Sequence, residues 1–486
     1  MLRINFLGIL AIIFLFMNDC RIKIGSQQII VGTILTLAFF GIYFFLNPGK
    51  TKKFKTLFTK PPVMFLGLLL LWILVSPVFV GKSGVLLNIW FSTFLTYGCV
   101  IFPTLFFAAF FVPKYISFQK VANVVLGVFL FSTVYGIIDY YGQFYSISAI
   151  EALHNYVSTR SMFLNAESTV NVTYFAVRNR SFCFEPSFYA LFLFVMLPFA
   201  LKVVSKSYKI TRSRKVDAVL KVLILTLTYV NLFLTQSPIY IIASMLFTFL
   251  YFSKDIIRII RRRIVLICCA MLLIVPSLLF IPKIDNPEEN RIVRRVNVVA
   301  SSFKDVETLI LTEPSLGARI VAYINAATMA GKHPITGITR ANDNEMYTQF
   351  KNSPVPLTEE LYEKLEAGKL GSPPSIFWAT LLENGIIGLL LIYSFFISTI
   401  WRAFRISKFF VGNDRIILEA FSLVGVNFVV NSIYQSFTTD TVMWFVFGVL
   451  TAYSLTLEKC VKYLKIRNRE NILKEDLSNV EQRDRI

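Results

Sequence analysis

SIFWATLLENGIIGLLLIYSFFISTI, residues 375–400, is an apolar run long enough to cross a bilayer, and its one charged side chain is Glu383. It is the tenth such run. The others are 4–19, 28–47, 63–80, 86–111, 121–141, 184–201, 218–235, 238–252, 264–281, 416–437 and 441–457. The sequence is 55% hydrophobic and 16% charged, where a soluble protein carries about 25% charged residues. Only helices or closed barrels satisfy their backbone inside lipid, and runs of this length are helical. The expected fold is therefore an all-α integral membrane protein of about 12 transmembrane helices. Forty-eight Phe and 21 Tyr suit lipid-facing surfaces and interfacial belts.

The charges orient these runs. One set of connections holds Lys50, Lys52, Lys53, Lys55 and Lys60, then Lys202, Lys206, Lys209, Arg212, Arg214 and Lys215. It continues with Arg258, Arg261, Arg262 and Arg263, then Arg402, Arg405, Lys408 and Arg415. The alternate short connections hold little beyond Arg21, Lys23 and Lys82. That asymmetry predicts both termini in the cytoplasm. Residues 458–486 then form a basic cytoplasmic tail beside anionic lipid headgroups, so the formal charge of +20 implies a membrane surface and not nucleic acid. Helices 1–9 fall within 1–282, with an outer loop at 142–183, and helices 10–12 within 375–457.

Between them, 283–374 is the one long polar segment, and its acids and bases nearly balance. It is expected to be a large helical outer loop. Leu316, Ile320, Tyr323, Ile324 and Ala327 fall on one helical face. Arg319 sits at the edge of that stripe, where its stem can pack while its head stays free. Thr358 to Ala367 reads as another helix, stopped by Gly368. Ionisable groups near the bilayer also gather at the outer side: Asp139, Glu185, Glu383 and Asp440, with Asn384, Asn431 and Gln435. They imply a polar site that opens outward. The six Cys lack metal-ligand spacing. No Asp-x-Asp cluster or Gly-rich phosphate loop calls for a metal or a nucleotide, so no cofactor is expected.

The densest cluster is RNRSFCFEPS, residues 178–187. Glu185 and Pro186 read as an ordinary helix start. That reading leaves Arg178 and Arg180 unexplained, and guanidinium groups at a helix N-terminus suit phosphate or diphosphate.

Phe184-Glu185-Pro186-Ser187 followed by Ala190 resembles the O-antigen polymerases of the Wzy type. So do Leu234-Thr235-Gln236-Ser237, Gly317 to Arg319, His333-Pro334 to Gly337, and Glu383-Asn384-Gly385 to Gly388. The related O-antigen ligases carry a His-Asn-like pair ahead of the last motif, where this chain has Pro374-Ser375. Ser181 stands where Gly is common, and Pro238 where Arg often follows the Ser.

The resemblance implies a bacterial inner-membrane glycosyltransferase. It would move a glycan from an undecaprenyl diphosphate carrier to a carrier-linked acceptor repeat unit at the outer face of the membrane. It also implies a chain-length regulator and a flippase as partners. Arg178 or Arg180, together with Arg319, would hold the diphosphate, with His333 beside them. Glu185 would be the base and Glu383 the reserve. Glu383 reads equally as a structural partner of a neighbouring helix, and His333 as a loop hydrogen-bonder. The alternatives are a ligase-type glycan transferase and a lipid-linked sugar flippase.

Overall fold

In the computed structural model the described residues are 2–17, 21–24, 27–46, 60–79, 86–157, 179–181, 183, 186–205, 208–211, 213–260, 310, 314–339, 343–368, 370, 373, 375–434 and 440–455. They are almost wholly helical, as an all-α membrane protein requires. The first run forms α1 (Leu2–Phe16), and a short antiparallel hairpin follows, β1 (Arg21–Ile24) on β2 (Gln27–Ile30). Alternation of Ile22 and Ile24 with Arg21 and Lys23 gives that segment a strand period.

Next come α2 (Val31–Leu46), α3 (Pro61–Phe79), α4 (Ile89–Tyr115) and α5 (Phe118–Phe144). Within α4, Phe94–Ile101 and Phe107–Phe111 are π-helical turns. Then follow α6 (Ser148–Val157), α7 (Pro186–Val204), α8 (Arg214–Leu234) and α9 (Pro238–Ile260). The polar segment contributes α10 (Pro314–Lys332), α11 (Asp343–Lys351) and α12 (Glu359–Glu366). The chain returns through α13 (Ile376–Ser407), α14 (Gly412–Tyr434) and α15 (Thr441–Ser454).

Among the described residues seven helices are long and apolar enough to cross a membrane, and four apolar helices are shorter. The ninth expected run, 264–281, and the tail 458–486 lie outside the described residues, as does most of loop 142–183. Several helices outrun their apolar stretch, as α13 does through Arg402 and Arg405. Helix propensity does not stop where hydrophobicity does.

Two apolar cores result. The larger joins α1, α3, α4, α5, α7, α13, α14 and α15, with Trp444, Phe445 and Phe447 of α15 fully buried at its centre. The smaller lies within the polar segment. It gathers Ala318, Val321, Ala322, Ala326 and Met329 of α10 with Met346, Phe350 and Leu361, and reaches α13 at Leu382.

The buried face of α10 is thus not the expected stripe. Leu316, Ile320, Tyr323 and Ile324 are half-buried beside it and Ala327 is exposed. The inward face is made of small residues around buried Asn325. Asn325 donates to the Val321 carbonyl (2.9 Å) and Ser353 Oγ (2.9 Å) and accepts from Gln349 Nε2 (3.2 Å). A hydrophobic period passes over an asparagine whose polar atoms are satisfied this way. The third outer helix forms as expected: Thr358 Oγ1 caps it by accepting from Leu361 N, and Gly368 ends it at φ +66°.

Candidate functional site

The break in α13 anchors the outer segment. Gly385 has φ +63° inside an otherwise continuous helix. The break leaves carbonyls without helical partners, and three of them are taken from elsewhere. Ile338 N donates to Leu382 O (2.8 Å), Thr339 N to Glu383 O (3.1 Å) and Trp72 Nε1 of α3 to Asn384 O (2.9 Å). Past the break, Ile386 N donates to Pro334 O (2.9 Å). Gly337, also left-handed at φ +67°, lies so close that an added Cβ would sit 2.6 Å from the Glu383 carbonyl carbon. The two glycine motifs read in the sequence are therefore opposite faces of one backbone clip. Glu383 stands in the last turn before the break, its side chain half-buried.

The His333 side chain meets Glu345 at 2.6 Å and so links the end of α10 to α11. That geometry agrees with the loop hydrogen-bonder reading and leaves a diphosphate contact to be tested.

At the other side of α10 lies Arg319. Its head, expected to stay free, is engaged: Nη1 donates to Tyr434 Oη (3.3 Å), with the guanidinium 5.5 Å from that ring's centre. Tyr434 ends α14, and the last carbonyls of that helix have no partners within it. Tyr323 Oη donates to the Tyr434 carbonyl. Ser375, the N-cap of α13, donates to Ser432 O (2.7 Å), with Ile433 O at 3.0 Å. The negative end of the α14 dipole therefore faces Arg319, which favours a cation there. Burial opposes the charge on Arg319. The phenols of Tyr434, Tyr240 and Tyr323 outweigh it, so its pKa lies above the ordinary arginine value. Burial pushes the Tyr323 phenol itself up to about 12.

Arg180 is held by a strap, residues 179–181, laid across α5 and α8. Asn179 N donates to Leu234 O (2.9 Å) and Asn179 Nδ2 to Asn231 Oδ1 (2.6 Å). Ser181 takes φ +48°, which explains why glycine suits this position. Its hydroxyl donates to the Ser132 carbonyl (2.8 Å). Tyr189 Oη reaches the same carbonyl (3.0 Å) and Asn231 Oδ1 (3.2 Å). Between these anchors Arg180 Nε lies 3.5 Å from Oδ1 of the fully buried Asp139. Asp139 Oδ2 accepts from Gln143 Nε2 (2.8 Å).

The strap bonds to Leu234 at the end of α8, just before the turn to α9, where Gln236 is left-handed at φ +50°. The N-termini of α7, α9 and α13 lie at this same end, by way of the strap, the turn and Ser375. Such termini favour anions. Arg178 and Glu185 lie outside the described residues. Asp440 serves the fold as a helix cap, its Oδ1 accepting from Val442 N (2.9 Å) and Met443 N (3.2 Å) at the start of α15. Among the described residues no three His, Cys, Asp or Glu converge as metal ligands would.

The sequence singles out Asp139 and Arg180 separately but not their pairing across 41 residues, and it passes over Tyr434. Asp139 and Gln143, four apart near the end of a span, signal a held carboxylate there, though not its partner. Nothing in the pattern points to the tyrosine.

Residues 222–393 match the model of a family described as O-antigen ligase. This match supports the O-antigen polymerase/ligase family for the chain. It runs from within α8 to within α13, and so includes Arg319, Gly337, Gly385 and Glu383, but not the Arg180 strap. No curated protein matches the chain.

Proposed function

We propose that this chain is a polymerase of lipid-linked oligosaccharide repeat units within the O-antigen polymerase/ligase family. The observation that carries the reading is a pair of partly buried arginines at helix ends, Arg180 beside Asp139 near the end of α5 and Arg319 against Tyr434 at the end of α14. One is brought by a strap ahead of α7 and the other by an outer segment clipped to α13.

In the proposed reaction an acceptor hydroxyl attacks the anomeric carbon of the donor glycan. The new glycosidic bond forms as the carbon–oxygen bond to the carrier diphosphate breaks. The electron pair leaves with that diphosphate, and the hydroxyl proton passes to a carboxylate. Arg319, together with Arg180 or Arg178, holds the diphosphate and stabilises the charge that develops on it. Glu185 is the first choice of base and Glu383 the second. His333 would act as an accessory contact to the donor.

The donor is proposed as an undecaprenyl diphosphate-linked repeat unit at the outer face of the inner membrane. A flippase would supply it and a chain-length regulator would set the product size. Residues 283–374 serve as an outer domain, and both termini face the cytoplasm.

Ser375 supports polymerase over ligase. At the position where ligases carry their histidine-bearing pair, this hydroxyl is spent on the α14 carbonyls and offers no base. The ligase reading draws on the family match itself, whose description names that activity.

Deletion separates the readings. Cells lacking a polymerase still make and flip single units, so their surface glycan is expected to be one unit long. Loss of a ligase would leave the surface bare while long chains accumulate on the carrier. Loss of a flippase would leave it bare with single units trapped inside. Immunoblots of surface and carrier-linked glycan distinguish the three, and either bare-surface outcome would exclude the polymerase.

A further inference from the structure

We propose that Asp139 is a charge counterweight to Arg180, setting how readily this end of the bundle releases a diphosphate. The inference rests on the reading of Arg180 as a diphosphate ligand and adds a residue to it.

A carboxylate with no exposed surface is costly to keep, and its retention calls for a reason. Anchoring the strap is not a sufficient one. Asn179 is fixed to Leu234 and Asn231, and Ser181 to Ser132, on either side of Arg180. To that set Asp139 adds a long contact from Arg180 N (3.4 Å). What it adds without substitute is negative charge, 3.5 Å from Nε of a guanidinium whose side chain keeps 20% of its surface exposed. Gln143 holds the carboxylate in place from the next turn of α5.

An anion resting against the exposed part of that side chain feels the carboxylate from behind it. Two like charges several ångströms apart in a partly buried site repel enough to change affinity about tenfold. A transferase must shed its carrier diphosphate every cycle, and binding that holds product too well slows turnover. Asp139 is thus a positioning and balancing residue and does not touch the reacting atoms.

The sign of the effect is the test. The purified full-length chain in lipid nanodiscs is titrated with inorganic pyrophosphate. Asp139→Asn keeps the shape and removes the charge, so it should bind pyrophosphate about tenfold more tightly than wild type. In a polymerisation assay kcat and KM should both fall. Arg180→Gln should bind at least tenfold more weakly. A purely structural aspartate would instead lower Tm and leave pyrophosphate affinity unchanged or weaker, and that result overturns the proposal.

If Asp139→Asn does not accumulate, the double variant Asp139→Asn/Arg180→Gln removes both charges and keeps the site neutral. It should bind about tenfold more tightly than Arg180→Gln, because the repelling carboxylate is gone, and affinity equal to or below that of Arg180→Gln would also overturn the proposal. Pyrophosphate behaviour as expected, in a protein that extends no glycan, would uphold the counterweight and reject the polymerase reading.

Discussion

Arg319→Ala is expected to abolish chain extension while the protein accumulates normally. The loss of one charge-assisted contact to a leaving group costs about 3–4 kcal/mol in the transition state, roughly a 100- to 1000-fold drop in rate. Arg319→Lys keeps the charge but not the planar fork, and should retain little activity. Tyr434→Phe keeps the ring beside Arg319 and removes the hydrogen bond at 3.3 Å. It should cost less, within about tenfold, because one neutral partner contributes about 1 kcal/mol. Product length on gels, normalised to protein level, reads all three. Normal extension by Arg319→Ala would make Arg319 a structural cation at the end of α14 and leave the diphosphate to Arg178 and Arg180.

Gly385→Ala is expected to detach the outer segment from the bundle. The position has φ +63°, and a methyl there would overlap the backbone of Ile335 across the clip. Left-handed strain and the lost backbone bonds together should cost about 3–5 kcal/mol. Melting of the purified protein should fall by several degrees. Limited proteolysis should cut between 333 and 345 at protease concentrations the parent resists, and chain extension should vanish. Gly331→Ala is the control: its Cβ would meet nothing within 4 Å, on an exposed turn of α10. It should be neutral or stabilise by up to about 1 kcal/mol. Equal melting of the two variants would show that the clip does not hold the outer segment.

These two residues also show how far a sequence reaches. Apolar length announces a span whatever it packs against, so the helix from Ile376 is legible from the chain alone. The break within it is not. Glycine is common in transmembrane helices, and only the backbone of residues 334–339 lying alongside shows why Gly385 is there. Glu383 is likewise visible as a carboxylate near the membrane, while its place in the turn before a break is not.

In α10 the arginine is legible and the packing face is not, because buried Asn325 and a row of alanines carry no strong hydrophobic period. Asp139 is legible as an oddity. Its meaning needs Arg180, and pairing across 41 residues is a property of the fold that no local pattern encodes.

The most direct measurement gives the purified chain nothing but repeat units linked to undecaprenyl diphosphate and resolves the products by size. A polymerase yields a ladder spaced by one repeat unit, with one carrier diphosphate released for each bond formed. Repeat units recovered unchanged, or transferred once to added lipid A-core without a ladder, would contradict the account.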